Sequence, residues 1–372
     1  MIKIGHFGTR LEYGGVESVV LNYTSQFSNG VFDNHFITQN INSAECIKLF
    51  ESKGFKIHIV THKRESILKN ISDVVKVMKK EKFDIVHAHM TTLNFYILFI
   101  AWLFGCKVRI SHSHNNYIET SFASKVINAV FSLLTRLFAT DYFACGIDAA
   151  KFMYGSANLK KTYIMKNAID SSKFKYNKEL RSEMKSNLKL SDKFVIGHIG
   201  RFCNQKNHKF IVDIADRLKN TRQDFVVLLI GTGDLYEEIN DEVSQRQLDY
   251  FFRFVGNTNE TYKYYQAMDV FVLPSLFEGL PVVGIEAQYN GLKLLVSDFV
   301  DNRMALNDDK VTFLSINDVE TWVSELNNIQ KDYDRGVNDE VFISAGYDLK
   351  TEGHKLELFY IERWNFAYGK KL

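Results

Sequence analysis

Two facing Rossmann-like α/β domains are the fold that this sequence predicts, and three observations carry the prediction. Short apolar runs of strand length alternate with helix-length periodic segments along the chain, the pattern of parallel βαβ units. The alternation runs through twice, with a polar stretch near the middle. A length of 372 residues is long for one core and comfortable for two domains.

In the first half the expected strands are Ile2–Phe7, His35–Thr38, Lys56–Val60, Ile85–Ala88, Val108–Ser111 and Tyr142–Cys145. Helices fill the gaps; Ile67–Lys80 places Ile71, Val74, Val75 and Met78 on one face. Lys166-Asn-Ala-Ile-Asp170 and the polar stretch Ser171–Lys178 read as the link. The second-half strands are Phe194–His198, Phe225–Ile230, Phe251–Phe254, Val270–Leu273 and Leu294–Val296. The aromatic-rich segment Lys355–Tyr368 reads as a final helix. Residues 1–170 and 171–354 are the expected domains.

With 46% hydrophobic residues the composition is globular, which excludes a disordered chain. Cys46, Cys106, Cys145 and Cys203 are scattered without C-x-x-C pairing. That argues for a reducing compartment, against a disulfide framework and against a zinc knuckle. No leader pattern opens the chain. The longest apolar run, Phe95 to Cys106, is too short to span a bilayer. A cytoplasmic protein is expected, with peripheral attachment to the inner face of the cell membrane as an open alternative.

The net charge of +2 hides an asymmetry: residues 1–180 hold 23 Lys+Arg against 14 Asp+Glu, a balance of +9. The rest holds 23 against 30, a balance of −7. A basic first half suits an anionic partner, such as a membrane surface or a pyrophosphate-bearing acceptor, though solvated helix faces explain it equally well. No basic motif interleaved with aromatics is present, so nucleic acid is not an expected partner.

The most informative stretch is 271–291, which contains both prolines of the chain, Pro274 and Pro281. A buried strand stops at Pro274, and a helix begins at Pro281, where a missing N–H costs nothing. Glu278 falls in the loop and Glu286 inside the helix. Strand, tight loop and helix N-terminus together aim free backbone N–H groups at an anion. The E-G-x-P-x-x-x-x-E spacing within L-P-S-x-x-E-G-L-P resembles the donor-binding signature of retaining glycosyltransferases of family 4, which have the GT-B architecture. The resemblance implies that Glu278 contacts the donor sugar and Glu286 the nucleotide ribose. Gly279, Leu280 and Pro281, between them, would meet the diphosphate. It also implies that a C-terminal helix, residues 355–372, crosses back onto the first domain.

Other motifs fit the same reading. Arg201 and Lys206, five apart across a turn, can converge on one anion, and the family uses such a pair for the donor diphosphate. Gly14 and Gly15 follow the first strand, where glycine lets backbone approach a ligand closely; the family has a similar loop near the donor. Gly231 and Gly233 read as a βα turn near the nucleotide, and Gly256 resembles the family's loop against the base. Lys166, Ala168 and Lys293 depart from the family pattern. Asp332-Tyr-Asp334 mimics a D-x-D metal motif but follows no strand.

His87-Ala-His89 and His112-Ser-His114 lie at strand ends, where α/β sheets bind ligands. Residues i and i+2 of a strand share a face, so a four-His metal site is one reading. The resemblance implies another. His114, with His112 as second choice, would stand near the reaction centre, His89 would line the acceptor side, and His87 would be structural. The expected function is a retaining, metal-independent transferase without cofactor. Its donor would be a nucleotide-sugar, UDP-linked by preference, and its acceptor a carbohydrate or lipid-linked sugar in polysaccharide assembly. The alternatives are a His-cluster metallohydrolase and a non-catalytic sugar-nucleotide-binding partner subunit.

Overall fold

The computed structural model describes residues 1–11, 15–39, 44–114 and 121–370, and for residue 308 the backbone alone. The chain forms two compact units, Met1–Ala168 with Asp348–Leu372, and Ile169–Tyr347.

Among the described residues the first unit is a seven-stranded parallel sheet. Its strands are β1 (Ile2–Phe7), β2 (Phe32–Thr38), β3 (Lys56–Ile59), β4 (Ile85–Ala88), β5 (Val108–Ser113), β6 (Asp141–Ala144) and β7 (Thr162–Ile164). They run in the order β3-β2-β1-β4-β5-β6-β7. The two-residue period of the strands divides the core. Ile4, Ile85, Ile110 and Phe143 pack on one face, and Phe7, Val86, Ala88 and Ile97 on the other. Ile4 pairs with Ile85 and His6 with His87, so the register that aligns the apolar face also aligns histidines at its end.

The final helix is Leu349–Tyr368, longer than the expected Lys355–Tyr368. Asp348 caps it, accepting from the Thr351 N–H at 2.9 Å, an arrangement that favours helix initiation. Leu349, Leu356 and Tyr360 join the core of β1, β4 and β5. Gly353 sits where a Cβ would lie 2.5 Å from the Gln26 side chain. Glycine there permits close packing against the helix Gly15–Thr24.

The second unit is a six-stranded parallel sheet among the described residues. Its strands are β8 (Phe194–Ile199), β9 (Phe225–Ile230), β10 (Phe252–Gly256), β11 (Val270–Leu273), β12 (Lys293–Ser297) and β13 (Val311–Leu314). The order is β10-β9-β8-β11-β12-β13. β8, β9 and β11 are buried along their whole length, which explains their unbroken apolar runs. Edge strands β7 and β13 are absent from the expected set. Both are short and only partly buried, so neither carries a strong apolar signal.

At the link, the Tyr23 hydroxyl donates to Lys166 O at 2.6 Å and Ala168 N donates to the same carbonyl at 2.9 Å. Lys166 and Ala168 thus form a tight, hydrogen-bonded turn without the family's Pro and Gly. Ile169 N then donates to Tyr347 O at 2.9 Å, tying together the two ends of the second unit.

Candidate active site

In the second unit two loops at the carboxyl edge of the sheet are stitched together. One follows β8 (residues 200–207) and the other follows β11 (residues 274–281). Leu276 N donates to Gln205 O at 2.8 Å, Gln205 Nε2 to Phe277 O at 3.0 Å, and Asn207 Nδ2 to Pro274 O at 3.1 Å. These bonds satisfy backbone groups that a loop would otherwise leave to water. They bring Lys206 Nζ to 2.5 Å from Glu278 Oε1, with both side chains largely buried. The Ser275 hydroxyl donates to the same oxygen at 3.3 Å. Beyond Glu278 the loop is held by Asp301 N, which donates to Glu278 O at 3.3 Å.

Arg201 and Lys206 have different protein partners. The Arg201 guanidinium is 69% exposed and pairs with Asp234 Oδ2 at 3.3 Å, so the two cations serve separate ion pairs. The glycines also divide. A Cβ at Gly231 would lie 2.1 Å from Gly200 O, and one at Gly233 2.4 Å from Phe202 O. Their φ angles are +135° and +158°, so the packing of two loop backbones already requires glycine at both positions. At Gly15 and Gly279 a Cβ would meet nothing within 4 Å, and no internal packing demands glycine. Gly256 has a left-handed φ of +80° and its carbonyl accepts from Gly231 N at 2.9 Å. Leu280 is partly buried and Pro281 caps the helix Val282–Tyr289. Gly14 lies outside the described residues.

Glu286 projects from that helix onto Tyr265, whose hydroxyl donates to Glu286 Oε2 at 2.8 Å. Burial pushes the carboxyl up to about 7, and the tyrosine hydrogen bond works against the rise. Nothing in the sequence singled out Tyr265; its spacing from Glu286 crosses a strand. Asp332 and Asp334 are exposed loop residues.

In the first unit five imidazoles gather at the ends of β1, β4 and β5. His6 Nδ1 lies 3.2 Å from His89 Nε2, and His89 Nδ1 lies 2.9 Å from His114 Nε2. His87 and His89 stack with ring centroids 4.2 Å apart, and His112 and His114 at 3.9 Å. His87 Nδ1 meets the Tyr360 hydroxyl at 2.6 Å, a contact within the core. Burial holds all five rings neutral, with His6 lowered to about 3 and His114 to about 4. His87, His89 and His112 are lowered well below the usual value by burial and by one another. His6 was missed in the sequence because it lies inside an apolar strand; its position at the strand's carboxyl end was the available signal.

Two trios in this cluster, His6/His87/His89 and His89/His112/His114, bring ring nitrogens within 4.8 Å of one another, as do His35, His58 and Glu81 elsewhere in the unit. The trios have the donor type of a zinc or copper site. In the first two, however, hydrogen bonds between the rings already occupy Nδ1 of His6 and both nitrogens of His89.

Chain comparisons agree with this architecture. Residues 13–170 match the profile described as Glycosyltransferase Family 4, and residues 181–347 that described as Glycosyl transferases group 1. The putative glycosyltransferase EpsF of Bacillus subtilis is 30% identical over 334 residues, covering 87% of this chain and 86% of that protein. An Escherichia coli UDP-Gal:alpha-D-GlcNAc-diphosphoundecaprenol alpha-1,3-galactosyltransferase is 26% identical, with 97% of each chain covered. Anabaena Alr3699/HepE, crystallised with UDP, superposes with a TM-score of 0.79 at 15% identity over 97% of this chain and 99% of that one. Two parallel Rossmann-type units of this kind define a GT-B glycosyltransferase. The chain belongs to glycosyltransferase family 4, and a Staphylococcus aureus relative, 26% identical over 81% of this chain and 83% of that one, is named a capsular polysaccharide biosynthesis glycosyltransferase. That membership leaves the metallohydrolase alternative without support.

Proposed function

We propose that the protein is a retaining, metal-independent transferase that moves a sugar from a UDP-sugar to a lipid-linked or carbohydrate acceptor. The observation that carries this reading is the Lys206–Glu278 pair, held by the two stitched loops beside a helix N-terminus. A lysine has three N–H donors, so Lys206 can orient Glu278 and still donate to a phosphate oxygen. With Arg201 it would meet the charge of the departing diphosphate, a task that otherwise falls to a metal. Gly15 and Gly279, which internal packing does not require, support close approach of backbone to the donor. Gly231, Gly233, Gly256, Leu280 and Pro281 would shape the nucleotide pocket, and Glu286 would bind the ribose. His114 would act at the transferred sugar, with His89 and His112 towards the acceptor.

In the proposed reaction the bond between the anomeric carbon and the diphosphate oxygen breaks. The acceptor hydroxyl oxygen bonds to the same carbon from the same face, and its proton passes to the leaving phosphate. The UDP preference draws on the relative named for a UDP-galactose donor and on the UDP-bound structural neighbour. Its diphosphoundecaprenol acceptor supports a lipid-linked substrate.

A thermal-shift screen of UDP-, GDP- and ADP-sugars, followed by a transfer assay in EDTA, tests the reading. Stabilisation by a UDP-sugar and chelator-resistant turnover with retained anomeric configuration are expected. Inverted product sinks the retaining assignment, and loss of activity in EDTA sinks metal independence. Binding without turnover on any acceptor favours the silent partner subunit.

A further inference from the structure

Where β2 meets the edge strand β3, two imidazoles and two carboxylates share a small volume. His35 stands opposite Lys56 and Ile37 opposite His58, so His35 and His58 are diagonal neighbours on one face of the sheet. Their rings stack with centroids 5.1 Å apart and 5° between the planes, and His35 Nδ1 lies 2.9 Å from His58 Nε2. The helix Ile67–Glu81 ends over this pair and brings Glu81 Oε2 to 4.0 Å from His35 Nδ1. One donor atom from each of the three residues falls within 4.8 Å of the others. His35 pairs with Gly5 and His6 with Phe36, so the two-residue period puts this trio on the opposite face from His6.

The protonation of His35 follows from its surroundings. The ring is fully buried, and Nε2 lies 3.3 Å from Asp33 Oδ2. No other acceptor reaches that nitrogen among the described residues. A lone pair there would face a carboxylate oxygen, so the proton sits on Nε2 and the Nδ1 lone pair points at His58 and Glu81. A carboxylate behind one ring nitrogen, with the other nitrogen turned to a donor set, is how metal-binding histidines are held.

The donor set has the chemistry of a zinc site: two imidazoles and one carboxylate. Burial keeps both rings in the neutral form that a metal needs. The other two trios contain no carboxylate. In a tetrahedral zinc site the ligand atoms stand about 3.4 Å apart, and the separations of 2.9 and 4.0 Å here bracket that value. Three lysines surround the carboxylates: Lys3 at 3.4 Å and Lys80 at 3.7 Å from Glu81, and Lys56 at 2.8 Å from Asp33. All three keep contact with solvent, and such pairs are weak. Lys3 Nζ also donates to Glu81 O at 3.0 Å, a contact that survives when the carboxylate turns to an ion.

We propose that His35, His58 and Glu81 bind one zinc ion, which clips β3 and the end of the helix Ile67–Glu81 onto β2. Zinc takes the place of the proton between the two rings. His35 gives Nδ1, His58 gives Nε2 and keeps its N–H on Nδ1, Glu81 gives Oε2, and water completes the tetrahedron. β3 is a four-residue edge strand with both ends exposed, and ligands at 35, 58 and 81 cross-link it over two spans of chain. The ion is structural, and the inference does not depend on the transfer reading.

The test is titration of the chelator-stripped full chain with Zn²⁺, read by calorimetry, thermal melting and nitrogen-15 NMR of the imidazoles. One zinc per chain is expected, with the His35 Nδ1 and His58 Nε2 signals shifted. The melting temperature should rise by about 5 °C at zinc a hundredfold above Kd. His58→Ala should weaken zinc binding at least about 100-fold, and Asp33→Asn about tenfold. His89→Gln should bind zinc as the wild type does. UDP affinity should be the same with and without zinc. Equal zinc affinity in His58→Ala overturns the inference, as does zinc binding lost in His89→Gln, which would move the ion to the other imidazole cluster. Unshifted His35 signals in zinc-treated wild type overturn it even if His58→Ala does not fold. A zinc-dependent UDP affinity would overturn the structural role.

Discussion

Lys206 and Glu278 form an ion pair at 2.5 Å that joins the loop after β8 to the loop after β11. The sequence reading gave them separate partners, a diphosphate and a sugar; the structure makes each the first neighbour of the other. Removing Lys206 therefore does two things. It deletes a cation, and it strands a largely buried carboxylate, which costs about 3 kcal/mol when a buried pair loses one partner. Lys206→Met should lower stability by that amount and weaken UDP binding. The double variant Lys206→Met/Glu278→Gln should recover most of the stability without recovering activity. Glu278→Gln alone should leave UDP affinity nearly unchanged but cut transfer about 100-fold, the scale of a lost transition-state contact. Chemical denaturation, calorimetry and a transfer assay separate these effects. Wild-type transfer in the Glu278 variant would refute its assigned role.

If Glu286 holds the ribose, nucleotide binding should depend on pH. Burial raises the Glu286 carboxyl to about 7 from the ordinary value of 4.5 that the unfolded group keeps. The folded state therefore favours the protonated form. Its stabilising contribution is complete below the unfolded value and is lost as pH rises through the folded one, a swing of up to about 3 kcal/mol. Glu286→Gln should remove that term, so its melting temperature should rise relative to wild type between pH 5 and 8. A ribose that donates its hydroxyls to the carboxylate binds the ionised form, so UDP should release protons at pH 7. Calorimetry in buffers of different ionisation enthalpy measures this; no proton release would separate Glu286 from the ribose.

The central strands and the second-unit loops were legible because local signals and burial agree there. β1, β4, β9 and β11 have the predicted bounds; β9 and β11 are unbroken apolar runs because both their faces are buried. Glu278, Glu286 and Lys206 stood out through their spacing around two prolines. What stayed hidden were relations across the sheet. His6 meets His89 only through the β1–β4 pairing, and Tyr265 meets Glu286 only once β11 intervenes. Arg201 has a neighbour that the sequence spacing did not point to, the exposed Asp234.

Gly233 offers a test of loop packing separate from chemistry. A Cβ there would strike Phe202 O and Phe202 N, at 2.4 and 2.7 Å, on a φ of +158°. Gly233→Ala should destabilise the second unit by roughly 2 kcal/mol or more. Gly279→Ala meets no protein atom within 4 Å and should leave stability unchanged. If Gly279 lies against the donor, Gly279→Ala should instead weaken UDP-sugar binding. Thermal melts with and without UDP distinguish the two; equal melts for both variants would contradict the packing account.

The histidine cluster makes the first unit acid-labile. Its five rings are neutral in the fold, lowered by burial, but the unfolded chain takes up protons below about 6.5. Stability is therefore fully present above that value. It is lost as pH falls towards the folded values, by up to about 1.4 kcal/mol per ring per unit. Melting temperature should drop steeply between pH 6.5 and 5, outweighing the opposite slope from Glu286. A flat profile across this range would show that the rings are not buried together.

The relay His6–His89–His114 has two hydrogen-bond directions, and they leave different atoms without partners. If His114 donates inward, the chain ends at His6 with a buried Nε2–H facing nothing, since that nitrogen has no partner among the described residues. If His6 donates through Nδ1 to His89, and His89 through Nδ1 to His114 Nε2, only an acceptor lone pair is left over at His6. Unpaired acceptors are tolerated better than unpaired N–H groups. This argument favours the outward direction, in which His114 would present Nδ1–H as a donor. If His114 acts at the transferred sugar, His6 and His89 would be positioning residues. His6→Leu should lower kcat about tenfold with little change in donor KM, whereas His6→Asn, whose amide N–H can replace Nδ1–H, should restore most of it. Nitrogen-15 NMR should find His114 as the Nδ1–H tautomer in the wild type, and as a mixture in His6→Leu. The Nε2–H tautomer in the wild type, or equal kcat in the Leu and Asn variants, would break the relay argument.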